Sequence, residues 1–197
     1  MAKQSTRDLI LSVAVTLFAT AGFRRTTMET IATAAGRGRR TVYMYFGNKA
    51  EVYNAVVDRE IALIITPLKD IISSGGTQKE IIKKYAIVRL ECLRALLKRN
   101  PLLLKDFSQS HNRIERLREK LNSLELKIVT SFFTGITLSG KNLAAGDAEA
   151  LAITFMNMLR GNDRLLTVAG NYDRTVKLAE FAADLVINNL TGLTVQQ

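Results

Sequence analysis

The sequence predicts an all-α fold of about nine helices: an N-terminal three-helix helix-turn-helix domain followed by a larger helical domain. Three observations carry this. Apolar residues recur at three- and four-residue spacing along the chain, and no stretch alternates in the manner of a strand. Only two prolines are present, and tryptophan is absent. Helix-start pairs, in which Ser, Thr or Asn is followed three positions later by an acidic residue, recur at Ser5/Asp8, Thr26/Glu29, Asn48/Glu51 and Thr77/Glu80.

The elements follow in order. Leu9, Ile10, Val13, Ala14, Leu17, Phe18 and Ala21 stripe one face of a first helix that Gly22 ends. Thr26 and Glu29 open a second helix as a capping box. Ile31, Ala32 and Ala35 line its inner face, and Gly36 leads out of it. A third helix over about 39–46 starts at Gly38 and turns Val42 and Phe46 inward. Asn48 and Glu51 cap a fourth, which Pro67 kinks or ends. Thr77 opens a fifth helix to about Arg99. Asn100-Pro101 restarts the chain with Asn as cap and Pro at the first helical position. A long helix over about 111–137 is charged in its first half and apolar in its second. Gly140 to Gly146 is a loop, and two final helices span about 147–168 and 173–190.

The stretch Thr26–Glu51 bunches Arg37, Arg39 and Arg40 at the start of the third helix. Cations there oppose the helix dipole, at a cost of a few tenths of a kcal/mol each. An anion seated at that end removes the conflict, and duplex DNA is the anion that fits. The second helix of a helix-turn-helix enters the major groove by its N-terminal residues, and arginine pairs bidentately with guanine. Arg39 and Arg40 are therefore the candidates for base edges. Lys49 and the amides after Gly47 form a candidate phosphate site at the start of the fourth helix. Of Tyr43 and Tyr45, one is expected in the core.

Charge agrees with this reading. The chain has 28 Lys and Arg against 18 Asp and Glu, a net +10. Residues 1–50 carry eight basic side chains (Lys3, Arg7, Arg24, Arg25, Arg37, Arg39, Arg40, Lys49) and two acidic ones (Asp8, Glu29). A basic face alone fits RNA or lipid as well; the helix-turn-helix spacing selects duplex DNA. The residues argue against catalysis, metal and cofactors. One His and one Cys make no zinc cluster of ordinary spacing, Ser110-His111 is not a triad, and no phosphate-cradling glycine loop occurs. Cys92 stands alone, which fits a reducing cytoplasm. No export signal is read at the N-terminus, and 128–140 is too short to span a bilayer.

Ile10, Ala14, Leu17-Phe18, Gly22-Phe23, Thr26-Thr27, Ile31-Ala32, Ala35-Gly36, Thr41-Val42-Tyr43, Tyr45-Phe46 and Lys49 form an ordered set. It resembles the N-terminal signature of the tetracycline-repressor (TetR) family over roughly residues 6–57. The resemblance implies a homodimeric, ligand-responsive transcriptional regulator, a repressor more readily than an activator. It implies a DNA-binding domain over 1–50 and a helical effector-binding and dimerisation domain over 51–197. The resemblance implies that Thr27, Tyr43, Tyr45 and Lys49 touch phosphates or bases; with the arginines and neighbouring threonines, the candidate DNA-binding set is Thr26, Thr27, Arg37, Arg39, Arg40, Thr41, Tyr43, Tyr45 and Lys49. Three positions depart from the family pattern. Arg37 replaces an apolar residue beneath the turn, Gly38 a Ser or Thr cap, and Arg40 a small residue. Arg37 is expected to lie outward with its methylenes over the turn.

Tyr85, Cys92, Leu96, Phe107, Phe132, Phe133, Phe155 and Met156 are the candidate lining of an effector pocket, for an apolar or amphipathic molecule with an anionic one left open. Leu151, Phe155 and Leu159 on one late helix, with Leu178, Phe181 and Leu185 on the other, are the candidate dimer interface. A DNA-anchored adaptor that binds a protein and has no small-molecule switch is the alternative reading.

Overall fold

The computed structural model describes residues 5–100, 111–138, 141–167 and 171–192. Eight α-helices lie among them. These are α1 (Thr6–Arg25), α2 (Met28–Ala34), α3 (Arg39–Tyr45), α4 (Lys49–Ile72), α5 (Gln78–Arg99), α6 (His111–Thr134), α7 (Ala145–Gly161) and α8 (Tyr172–Gly192). A single 3-10 turn, Asp163–Thr167, links α7 towards α8. The expected loop after α6 contains a small antiparallel ladder in which Thr137 faces Asn142 and Leu138 faces Lys141. The chain divides into two compact units, Met1–Ala62 with Leu96–Leu117 and Leu63–Ala95 with Arg118–Gln197.

The first unit is built on α1. Ser5 Oγ accepts from the Asp8 amide and starts it. Ile10, Ala14 and Phe18 are buried on its inner face, with Ile31, Val42, Phe46, Val52 and Val56 from α2, α3 and α4. Gly22, at φ +77°, breaks the helical path, so the stripe ends where the glycine sits. α1 is long and apolar enough, by length and composition alone, to cross a membrane. Its apolar face is instead the core of this unit.

The second helix corrects the expected cap by one residue. Thr27 is the N-cap, its hydroxyl accepting from Thr30 N–H while the Thr30 hydroxyl accepts from Thr27 N–H. Thr26 is buried, and its hydroxyl donates to the Gly22 carbonyl at 2.8 Å. With Thr26 consumed in closing α1, the exposed Thr27 is left to open α2. At the other caps the expected pairs are present. Asn48 Oδ1 accepts from the Glu51 amide, and Glu51 returns to the Gly47 amide. Glu80 Oε2 accepts from the Thr77 amide at 2.8 Å.

Pro67 neither ends nor is followed by a break in α4, which continues to Ile72. Ile64, Ile65, Leu68 and Ile71 are buried around it. Tertiary burial on both sides outweighs the bond that a proline removes. The restart expected at Pro101 lies outside the described residues. Asn100 itself is buried, and its side-chain amide donates to the Leu96 carbonyl and to Glu60.

The core of the second unit centres on Tyr85, Phe133, Phe155 and Met156. The Phe155 ring stands 6.4 Å from Tyr85 and 6.3 Å, edge-on, from Phe133. α7 and α8 pack together, and Ala152, Phe155 and Leu159 on the first and Ala179, Ala182 and Ala183 on the second are buried. Small residues on both helices permit that close approach.

Candidate nucleic-acid interface

The turn between α2 and α3 is a complete Schellman motif. Gly36 has φ +58°, its amide donates to Thr33 O, and the Arg37 amide donates to Ala32 O. The backbone alone therefore satisfies the end of α2. An apolar residue is not needed beneath the turn, and Arg37 is exposed. Gly38 begins α3 without a side-chain cap, leaving the first-turn amides unengaged by side chains. That is a donor-rich helix start directed at whatever anion approaches.

Val42 and Phe46 anchor α3 in the core, at 0 % and 4 % exposure. The opposite face is therefore turned outward. It carries Arg39 and Arg40, exposed, with Tyr43, Met44 and Tyr45 at 41 %, 78 % and 45 %. Neither tyrosine is in the core; both are on the outward face, because the helix has only one buried stripe and Val42 and Phe46 fill it. Thr41 is half-buried beside them and Thr27 is exposed at the α2 start, whereas Thr26 faces the interior.

Arg39 is held in place. Its guanidinium lies 5.6 Å from the Tyr43 ring centroid and 3.4 Å from Glu29 Oε2. Tyr43 first, and Glu29 after it, raise its pKa further above the ordinary arginine value. Sequence reasoning missed Glu29, which enters only because the Schellman turn brings α2 and α3 together. Arg40 has no such partner among the described residues.

Lys49 is engaged within the protein. Its ammonium donates to Phe23 O and Thr26 O, each at 2.8 Å, and stands 4.3 Å from the Phe23 ring centroid. It clamps the start of α4 to the α1–α2 junction.

In the second unit the residues expected to line an effector pocket separate. Tyr85, Phe132, Phe133, Phe155 and Met156 come together in the core, and Cys92 is half-buried. Leu96 belongs to the first unit, where it lines a cavity of about 40 Å³ with Phe18, Phe23, Tyr53 and Glu60. Phe107 lies outside the described residues. Of the candidate dimer residues, Phe155 and Leu159 are 0 % and 1 % exposed and belong to the intrachain core. Leu151 and Leu178 are half-buried. Phe181 and Leu185 are exposed at 61 % and 40 %, one turn apart on α8, as is Ile153 on α7 at 42 %.

A buried ion network went unread in the sequence. Arg89 Nε donates to Glu125 Oε1 at 2.6 Å, and its two terminal nitrogens engage both Asp163 oxygens at 2.7 and 2.9 Å. Burial works against the Arg89 charge, but Glu125 and then Asp163 hold its pKa above the ordinary value. Burial pushes the Glu125 carboxyl up, with Arg89 pulling the other way. The Tyr85 phenol, pushed far up by burial, stays neutral. Among the described residues no group of three or more His, Cys, Asp or Glu is arranged to hold a metal ion.

Residues 10–56 match the family described as bacterial regulatory proteins, tetR family. No curated protein is similar to the chain at a significant level. Solved structures share its fold over nearly their whole length. A TetR-family transcriptional regulator of Mesorhizobium loti is 19 % identical with a TM-score of 0.71, covering 93 % of this chain and 96 % of that one. SmeT, the repressor of the Stenotrophomonas maltophilia multidrug efflux pump SmeDEF, is 20 % identical with a TM-score of 0.67, covering 94 % and 90 %. FadR from Bacillus subtilis, solved with stearoyl-CoA, is 19 % identical with a TM-score of 0.61, covering 91 % and 96 %. The helix-turn-helix of residues 10–56 thus matches the tetR family of bacterial regulatory proteins, in a chain that shares its fold with solved regulators over nearly its whole length.

Proposed function

We propose that the chain is a cytoplasmic transcriptional repressor that binds a palindromic operator as a homodimer and is released by a small apolar or amphipathic effector. Residues 1–50 bind DNA, residues 51–197 bind the effector and the second copy, and the protein neither performs catalysis nor enters a membrane. The observation that carries this is the α3 surface. Two arginines and two tyrosines face outward from a seven-residue helix whose opposite face is anchored by Val42 and Phe46. Arg39 and Arg40 read bases, with Tyr43, Tyr45, Thr41 and Thr27 on phosphates and neighbouring groups. Arg37 and the uncapped amides of α3 add backbone contacts. Lys49 acts by holding the junction behind them.

Phosphate-dominated binding weakens steeply with salt. Fluorescence anisotropy on mixed-sequence duplex DNA over a range of salt concentrations tests this, and a flat response contradicts it.

The dimer rests on exposed apolar residues of α7 and α8. Phe181 and Leu185 are outward members of the α8 stripe whose other members are buried or half-buried, and Ile153 is exposed on α7. Phe181→Glu places a charge in that face. It is expected to give a monomer mass by light scattering at micromolar concentration, with thermal stability of the isolated fold kept. A wild-type monomer, or a Phe181→Glu dimer, contradicts the assignment.

The effector is proposed from chemistry related to that in the likenesses. SmeT regulates an efflux pump and FadR holds an acyl thioester. In this chain the aromatic and thioether core around Tyr85, Phe155 and Met156 suits the apolar part of such a molecule.

A further inference from the structure

Arg89 is almost completely buried, with 2 % of its side chain exposed, yet the carboxylate filling its outer fork belongs to a surface turn. Asp163 keeps 31 % of its side chain exposed and lies on the 3-10 segment that follows α7. Its two oxygens meet the two terminal nitrogens in the parallel geometry with which arginine takes any carboxylate. Two more polar atoms at this cluster are buried and unpartnered: Glu125 Oε2 and Arg160 Nε. The Arg160 charge adds a small downward pull on the Glu125 and Tyr85 pKa values, against the larger upward push of burial. With Asp163 swung out, Arg89 keeps Glu125 as its one carboxylate partner with both terminal nitrogens freed, and Arg160 Nε is a spare N–H donor.

We propose that Asp163 plugs a carboxylate site. An apolar molecule bearing a carboxylate displaces Asp163 from the Arg89 fork, and its head group takes the unpartnered Arg160 Nε–H as a further donor. This rests on the effector reading above and gives that effector a chemical class. The apolar body lies toward Tyr85, one turn before Arg89 on α5, and toward Met156, whose sulfur accepts the Tyr85 hydroxyl at 3.9 Å. A methionine side chain yields readily to a new neighbour. Release of Asp163 frees the link between α7 and α8, the helices that carry Ile153, Phe181 and Leu185. Occupation of the site is thereby coupled to the proposed dimer face.

The test is titration calorimetry of the full chain with decanoate, below its micelle concentration, and with decanol as the uncharged counterpart. Asp163→Asn is expected to bind decanoate about tenfold more tightly than the wild type, since apparent affinity rises by the factor by which a competing occupant reduces the open fraction of the site. Decanol gains nothing. Arg160→Gln is expected to weaken decanoate several-fold. Equal decanoate affinity in Asp163→Asn and wild type, or an equal gain for decanol, overturns the proposal. If Asp163→Asn does not fold, the wild type decides. Decanoate must raise its melting temperature and Arg160→Gln must diminish the rise; absence of either rejects the site. DNA affinity is measured on the same proteins. DNA binding without decanoate binding removes this inference alone, whereas absent DNA binding removes the repressor reading.

Discussion

Arg89→Ala is expected to destabilise the unit formed by residues 63–95 and 118–197 by about 3–5 kcal/mol, the range found when one partner of a buried ion pair is removed. The size follows from what remains. Glu125 is 0 % exposed and already has one oxygen without a partner. Without Arg89 its other oxygen loses the 2.6 Å bond, and a carboxylate is left desolvated among apolar side chains. Asp163, partly exposed, relaxes into water and adds little. The double variant Arg89→Met/Glu125→Gln removes both charges and is expected to recover most of the loss. Urea unfolding of the three proteins checks this. An Arg89→Ala cost below about 1 kcal/mol, the size of a surface pair, would mean the network is solvated.

Lys49→Met is expected to cost about 2–3 kcal/mol in the N-terminal unit, because two hydrogen bonds from a charged donor are lost. DNA affinity should fall for all sequences alike. The decisive quantity is the salt dependence. A lysine that touches a phosphate contributes about 0.9 to the slope of log affinity against log salt, and its removal lowers the slope by that amount. The Lys49 ammonium instead lies on Phe23 O and Thr26 O. The slope is therefore expected to be unchanged while affinity drops. A slope reduced by about one, with stability intact, would return Lys49 to the phosphate backbone.

What could be read in the chain was what depends on near neighbours. The α1 stripe ending at Gly22, the Asn48/Glu51 and Thr77/Glu80 caps and the inward pair Val42 and Phe46 all follow from residues within a turn or two of each other. Where two local solutions compete, long-range packing decides. Thr26 and Thr27 both suit a cap, and only the burial of Thr26 against α1 settles that Thr27 opens α2. Pro67 reads as a break until Ile64 and Leu68 are seen to be buried on either side of it. The outward surface of α3 was legible because its arginines and tyrosines are contiguous. The partners of its charges were not, since Glu29 and Arg39 meet across a turn, and Lys49 reaches back to Phe23. The ion network was invisible for the same reason. Glu125 stands in a helix rich in charge of both signs, and nothing near it in sequence points to Arg89 or Asp163. Phe155 and Leu159 share a stripe with the half-buried Leu151, and periodicity alone does not divide core from interface.

The central claim is that the exposed start of α3 reads duplex DNA. Selection of bound fragments from a random duplex pool, carried out with wild type and Arg40→Ala, tests it most directly. The wild type is predicted to select an inverted repeat whose half-sites lie about 34–36 Å apart or a multiple of that. Arg40→Ala is predicted to keep the repeat while losing preference at one guanine position per half-site, worth about 1–3 kcal/mol of discrimination. Recovery of no common sequence by the wild type, or of an identical sequence by both proteins, would contradict the account.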